Sequence, residues 1–510
     1  MLALVLTACA LVQSCSGPVD EPVIRLALQT EPDTGDPAFA VDYASGQLVS
    51  LTHQNLVRIG SEGEIEPSLA ASWTVSPDGM EYVFRLRRSG FPDGTPVTAS
   101  DVVFSFNRLI SRETMSPRWW VLEHIRGARG YHVGGDADGP AITAPDSMTV
   151  VIGLEKPVAH LLSLLTMPAA AIVSRKAVLA GGDYGSAPAG SGPWVLSAWS
   201  DGESLTFIGN SHSSDFNADV EGVSIRIIPE PMTRIAEFEI GNLDLLEVPR
   251  AELDRWKAAG AKLMDREELS VVYIGLNNAK GPLGDPDVRR ALNMAVDTET
   301  IIARVLFGAG RKAFGSVPPA LKGGDRGRDL YPYDPERARA LLEKAGYPDG
   351  FRMEIWQREN PEAGRILESV QAYLAKVGIV VDIVTRDWTA FKQAVDKGTP
   401  DAFYLDWFAD YPDRENFLMP LFHTSNRGGG GNRSAYSNAT VDSLLEAASA
   451  EQDAGVRASI YGRVEETVYD EAPWIFLWFP VRYEVASYRL RGYEIPVIYS
   501  GQDFSGVRVR

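Results

Sequence analysis

Apolar and polar positions along the chain repeat in two rhythms, one near 3.6 residues and one of two, and the two alternate over much of its length. After Thr98-Ala-Ser-Asp101, the apolar residues Val102, Val103, Phe106, Leu109 and Ile110 mark one face of a helix, and Thr98 with Asp101 three residues on predicts a capping box at its start. Asp285-Pro286 predicts a second helix start, with Pro at the first turn, where its missing N–H costs nothing. Val288, Leu292 and Ala295 share a face, and Asp297 caps a further helix through Ile301, Val305 and Leu306. Asp334-Pro335 begins another, through Leu341 and Leu342, with Gly346 as its left-handed stop. Gly364–Val377 carries Ile366, Leu367, Val370, Leu374 and Val377 on one face, and Gly378 ends it. With strands at Phe351–Trp356 and Ile379–Val384 on either side, this is a strand–helix–strand unit, the signature of a parallel or mixed sheet.

Two segments read differently. Ser72–Val75 and Tyr82–Leu86 flank the turn sequence Ser76-Pro-Asp-Gly79 and predict a hairpin in an early, β-rich stretch. Pro473-Trp-Ile-Phe-Leu-Trp-Phe-Pro480 has the length of a buried strand, and Val158–Val173, interrupted by His160 and Pro168, is too short to cross a membrane. Gly428-Gly-Gly-Gly431 is expected to be a flexible surface loop.

Composition narrows the functional classes. The 510 residues are 45% apolar and 23% charged, an ordinary globular balance with room for several domains. With 49 basic against 68 acidic residues the net charge is −19, which argues against nucleic acid as a partner. The only cysteines, Cys9 and Cys15, stand in the first fifteen residues, so the folded body has no disulfide, thiolate metal site or cysteine nucleophile. The opening apolar run followed by small residues and Cys resembles a bacterial lipoprotein signal. Leu6-Thr-Ala-Cys9 matches the usual letters better, and Val12-Gln-Ser-Cys15 leaves the more plausible length. Cys15 is the expected acylation site, and the missing basic residues ahead of the run point to a true start upstream of Met1. Residues 16–22, including Gly17-Pro-Val-Asp-Glu-Pro22, read as a tether.

Signatures of catalysis are missing: the chain has no G-x-x-x-x-G-K-[ST], G-x-G-x-x-G after a strand, H-E-x-x-H or G-x-S-x-G. None of the six histidines forms an i, i+4 pair. A binder is therefore favoured over an enzyme, with no cofactor or metal expected; a hydrolase using clustered carboxylates is the less favoured reading.

One segment gathers candidate chemistry. Asp401–Phe417 packs six aromatics and four Asp into seventeen residues. Phe403–Trp407 reads as a strand and Ala409–Asp413 as the turn beyond its carboxyl end, where ligands bind in open α/β sheets. A carboxylate ringed by Trp407, Phe408 and Tyr411 suits an ammonium group through charge-assisted and cation–π contacts. The same residues also fit a turn whose Asp side chains bond backbone N–H groups over a core of aromatics. Both readings stand on composition alone.

Motifs spread over the chain carry a family resemblance. Leu56-Val-Arg-Ile-Gly60 through Glu66-Pro-Ser-Leu-Ala-Ala-Ser-Trp73, then Ser76–Gly79, Phe84–Arg87, Asp93–Pro96, Asp101–Ser105, Gly190–Trp194, Asp287–Leu292, Tyr333–Pro335 and Ala345–Gly350, fall in one order and spacing. Each is weak alone. Together they resemble the solute-binding proteins of ABC importers, in the group that takes up dipeptides, oligopeptides and nickel, from about residue 23 to the C-terminus. The resemblance implies an α/β, two-lobed periplasmic-binding-protein-like fold (class II, cluster C type) with mixed sheets, hinge bending and an extra β-rich subdomain. Lobe one is expected over 23–270, with the subdomain at about 45–185. Lobe two follows over 271–481, and 482–510 returns to lobe one.

It also implies an extracytoplasmic, monomeric protein, anchored by lipid only, that delivers peptides to permease subunits in the cytoplasmic membrane. Trp407-Phe-Ala-Asp410-Tyr411 matches the family segment whose Asp accepts a peptide's α-ammonium, so Asp410 inherits that role. Trp407 and Trp388 fall at pocket-lining tryptophans, and Ser270–Asn278 resembles a strand whose backbone pairs with an extended peptide. Tyr411, Tyr404, Asn277, Asn278 and Tyr43 complete the expected lining. The chain departs from the family where some members place arginines for the peptide carboxylate: here stand Val395 and Tyr404, with Arg386 and Arg414 nearby. The alternative in the same fold is a non-peptide solute such as a nickel chelate, an oligosaccharide or an opine.

Overall fold

A computed structural model describes residues 22–134, 139–321, 331–498 and 501–510. Cys9, Cys15 and nearly all of the expected tether lie outside them.

Three main sheets build two lobes. In the first lobe, Val23–Leu28 pairs in parallel with Gly222–Ile227, and Ser204–Gly209 and Trp194–Ser200 extend that sheet antiparallel. A second, wholly antiparallel sheet is ordered Ala70–Val75, Glu81–Leu86, Thr149–Gly153, Ile142–Asp146. Its first two strands are the expected hairpin, turning at Gly79 with φ +70°. Helix Ala99–Ile110 starts where expected: the Thr98 N–H and hydroxyl both donate to the Asp101 carboxylate, at 2.9 and 2.7 Å.

The second lobe is built on one mixed sheet of eight strands. Its order runs Leu245–Glu247, Trp474–Ala486, Ser270–Leu276, Ala402–Phe408, Arg352–Arg358, Val380–Arg386, with Met264–Glu267 and Gly310–Lys312 also on the long strand. Arg352–Arg358 and Val380–Arg386 pair in parallel across helix Pro361–Ala375, as the strand–helix–strand reading requires. That helix begins three residues before the expected start, because Asn360 caps it by accepting from Glu362 and Ala363 N–H. Asp285, Asp297 and Asp334 cap their helices as expected.

The aromatic run near the C-terminus is the first half of a thirteen-residue strand, Trp474–Ala486. Its first half pairs with Ser270–Leu276 inside the second lobe; its second half pairs with Met264–Glu267 and Leu245–Glu247 at the junction. The chain beyond it packs on both sides. Leu490, Phe504 and Val507 join the core around Ile24 and Trp194, whereas Val497 and Ile498 join the core around Phe417 and Phe476.

The glycine run at 428–431 is not a loose loop. Gly428–Gly430 form a 3-10 turn packed on the helix Trp388–Asp396, so closely that a Cβ at Gly428 would run into the Asp396 carbonyl oxygen. Gly350 is more constrained still. It has φ +76°, and a Cβ there would collide with the Gly378 backbone at the point where the two parallel strands enter side by side. Gly350→Ala is expected to destabilise the second lobe by about 1–3 kcal/mol, read as a lower urea midpoint.

Candidate functional site

Strand direction decides what reaches the space between the lobes. Ala402–Phe408 and Arg352–Arg358 point their carboxyl ends there, while the antiparallel Ser270–Leu276 leaves it, with Ser270 opposite Phe408. Phe408, Ala409 and Asp410 at the end of Ala402–Phe408, with residues 266–269 just before Ser270, line a cavity of about 350 Å³, closed from the first lobe by Val41, Tyr43 and Arg118. A second cavity of about 500 Å³ adjoins it and shares Tyr43, Glu268, Phe408 and Arg482. Tyr43 opens helix Tyr43–Thr52 and Phe408 ends its strand, and both keep about half their surface exposed, 45% and 52%. Large rings left uncovered in a concave wall are the usual lining of a ligand site.

Asp410 lies in the wall of the first cavity. Its backbone is held from three sides. The Ala409 N–H donates to the Leu269 carbonyl at 2.8 Å, the Asp410 N–H donates to Asn416 Oδ1 at 3.0 Å, and Tyr411 is buried. Its carboxylate caps nothing in the turn. Instead Oδ1 accepts from Nη1 of Arg118, across the lobes, at 3.2 Å. The turn-capping role falls to Asp413, which accepts from the Glu415 N–H at 2.8 Å and pairs with Arg457 at 2.7 Å. The two readings of the aspartate cluster therefore divide between its members: Asp413 is structural, and Asp410 faces the cavity.

The other candidates scatter. Tyr411 packs into the first lobe's core; its hydroxyl donates to Glu415 and its ring stacks on His160 at 6.0 Å. Trp407 turns to the opposite face of the sheet from Phe408, packs against the second lobe's core and reaches Asn416 Oδ1 at 3.4 Å. Tyr404 packs against the core on the other side of that sheet. Trp388 opens helix Trp388–Asp396 with 49% of its surface exposed, and the Arg358 guanidinium lies 5.7 Å above its ring. Asn277 and Asn278 stand at the far end of their strand, roughly 20 Å along it from Ser270. There they tie down loops by donating to the Gly398 and Ser434 carbonyls, both at 3.0 Å. Tyr43 and Asp410 are thus brought together; Trp388, Tyr404, Trp407, Asn277 and Asn278 line neither cavity. Val395 is core, Arg386 lies over Trp356, and Arg414 turns inward to the Ala458 carbonyl and Glu465.

Several cavity residues had no sequence signal. Glu268 borders both cavities, and burial pushes its carboxyl above the ordinary range against the pull of Arg482. Arg482 itself pairs with Glu484 at 3.3 Å, and burial raises that carboxyl too. At the carboxyl end of Ala402–Phe408, burial likewise raises Asp406, opposed by Arg358 and Arg250. No cluster of three or more metal-ligating side chains occurs among the described residues, and no described helix is long and apolar enough to cross a membrane.

Known proteins resemble this chain in sequence and fold. The chain is 32% identical to heme-binding protein A of Haemophilus influenzae, over 88% of this chain and 84% of that one. It is 30% identical to the probable D,D-dipeptide-binding periplasmic protein DdpA of Escherichia coli, over 95% and 93%. Its fold superposes on the ABC transporter-associated periplasmic binding protein DppA of Helicobacter pylori, solved in complex with the peptide STSA. That match has a TM-score of 0.77 and 26% identity, over 96% of this chain and 98% of that one. The model of bacterial extracellular solute-binding proteins, family 5, matches residues 64–429, and the chain belongs to that family.

Proposed function

We propose that this protein binds short peptides in the cleft between its lobes and hands them to the permease subunits of an ABC importer. The observation that carries the reading is Asp410, a carboxylate that caps no turn and faces a ring-lined cavity where the two lobes meet. Its acceptor oxygens suit the ligand's ammonium, with Tyr43 and Phe408 covering the apolar part of the ligand. Lobe one comprises 23–270 and lobe two 271–481, joined where Met264–Glu267 pairs with the second half of Trp474–Ala486, and the tail beyond that strand packs on both lobes. Binding draws the lobes together about this junction. DdpA, named as a probable D,D-dipeptide-binding protein, and DppA, solved in complex with a peptide, support a peptide over a chelate or sugar.

Native mass spectrometry of the protein purified from a bacterial envelope tests the reading. A released ligand with a peptide mass and fragmentation supports it, and a chelate, sugar or opine overturns it. The same preparation tests the anchor. Intact mass is expected to show a chain beginning at an acylated Cys15 with more than one acyl chain, because a single chain holds a membrane only marginally. An unmodified chain cleaved elsewhere would contradict this.

A further inference from the structure

We propose that Arg118 and Asp410 together form a subsite for an α-amino-acid head group, in which ammonium and carboxylate sit on one carbon, as at the start of a γ-linked peptide. The inference rests on the peptide reading above and narrows it.

Asp410 is not a lone carboxylate. Arg118 meets it at 3.2 Å, and both face the cavity, with 18% and 28% of their side chains exposed. The guanidinium is fixed in place. Nη2 donates to the Val41 carbonyl at 3.3 Å, and the Trp120 ring lies 6.0 Å beneath it. The Arg118 backbone N–H donates to Ser116 Oγ, which in turn bonds the Ala38 carbonyl. Of the other charged groups in the same wall, Arg482 is committed to Glu484, Glu267 to Arg311 and Arg266 to the Ser61 carbonyl, and burial raises the carboxyl of Glu268 against the pull of Arg482.

The chemistry follows from the pair. A ligand bringing only an ammonium to Asp410 also meets the fixed positive charge of Arg118, and the two effects oppose each other. A ligand bringing ammonium and carboxylate on adjacent atoms presents the complementary pattern. Its ammonium meets Asp410 Oδ2, which accepts no hydrogen bond among the described residues. Its carboxylate meets guanidinium N–H groups that neither Asp410 nor Val41 engages. An α-linked peptide has spent its first carboxyl in the peptide bond and cannot do this. A γ-linked peptide keeps it.

Two isomers isolate the feature. γ-Glu-Ala and α-Glu-Ala have the same atoms and the same charge, and differ in whether the free carboxylate lies beside the ammonium. Calorimetry with the purified protein is expected to show γ-Glu-Ala bound roughly tenfold to hundredfold more tightly, the range of one charge-assisted hydrogen bond. Arg118→Gln should collapse that ratio toward one, and Arg118→Lys, which keeps the charge but not the fork, should retain part of it. Thermal unfolding of each variant verifies its fold. If Arg118 merely latches the lobes, Arg118→Gln weakens both isomers equally and the proposal falls. If α-Glu-Ala binds as well as its isomer, the proposal falls while the peptide reading stands. If free glutamate binds as tightly as γ-Glu-Ala, the head-group subsite stands and the peptide reading falls. If none of the three binds, both fall.

Discussion

Asp410→Asn is expected to weaken binding of a free-amine peptide by about 2–5 kcal/mol, roughly thirtyfold to several-thousandfold in affinity. The substitution nearly keeps the shape and removes the charge. An ammonium enclosed in the cleft would then lose its counter-charge, and burying it unpaired costs several kcal/mol. The loss has a second source, because the variant also leaves the Arg118 guanidinium without its carboxylate partner, 3.2 Å away in the native protein. An N-acetylated peptide should bind the native protein poorly, since it brings no charge to Asp410. The variant should no longer separate acetylated from free N-termini. Calorimetry with both proteins and both peptides reads the effect. The Asp410 N–H bond to Asn416 and the Asp413–Arg457 pair lie outside the substituted carboxylate, so the turn should survive and the variant should unfold near the native temperature. A folded Asp410→Asn that binds the free-amine peptide undiminished removes Asp410 from the site.

Local patterns reported local structure well. The caps at Asp285, Asp297 and Asp334, the hairpin at Gly79 and the strand–helix–strand unit all depend on contacts between near neighbours in sequence, which composition and period encode directly. Asp410 was legible because it follows a strand end in a distinctive run of residues. Arg118 was not, since its partner is 292 residues away and no period links them. Asn277 and Asn278 show a different limit. A strand that enters a lobe has two ends, and only its pairing with Ala402–Phe408 reveals that Ser270, not Asn277, is the end at the cleft. Trp407 and Phe408 show a third. Successive residues of a strand face opposite ways, so one ring is spent on the core and its neighbour is left for the cavity.

The junction carries the largest expected effect on stability. Asp244 is fully buried and stands immediately before the strand Leu245–Glu247. Its carboxylate binds Arg25 from the first lobe's parallel strand at 3.0 Å, and Ser487 and Arg489, just past the long strand, at 2.9 and 3.1 Å. Three stretches of chain are thus fastened through one side chain. Burial alone would raise this carboxyl, but hydrogen bonds from Arg25 and Ser487, with the Arg25 charge, hold it below the ordinary carboxylate value. A carboxyl depressed in the folded state contributes stability that is complete above its unfolded value, about 3.9, and is lost as pH falls through the folded value. Asp244→Asn should therefore cost about 3–5 kcal/mol at pH 7, because it removes the fully buried carboxylate that pairs with both Arg25 and Arg489. The gap between variant and native protein should narrow as pH drops below 4, where the native carboxylate is itself being protonated. Urea midpoints at pH 7 and pH 3 measure both parts. A midpoint unchanged at pH 7 would show that the three stretches hold together without this charge. A gap as wide at pH 3 as at pH 7 would show that the cost comes from packing and not from the ion pairs.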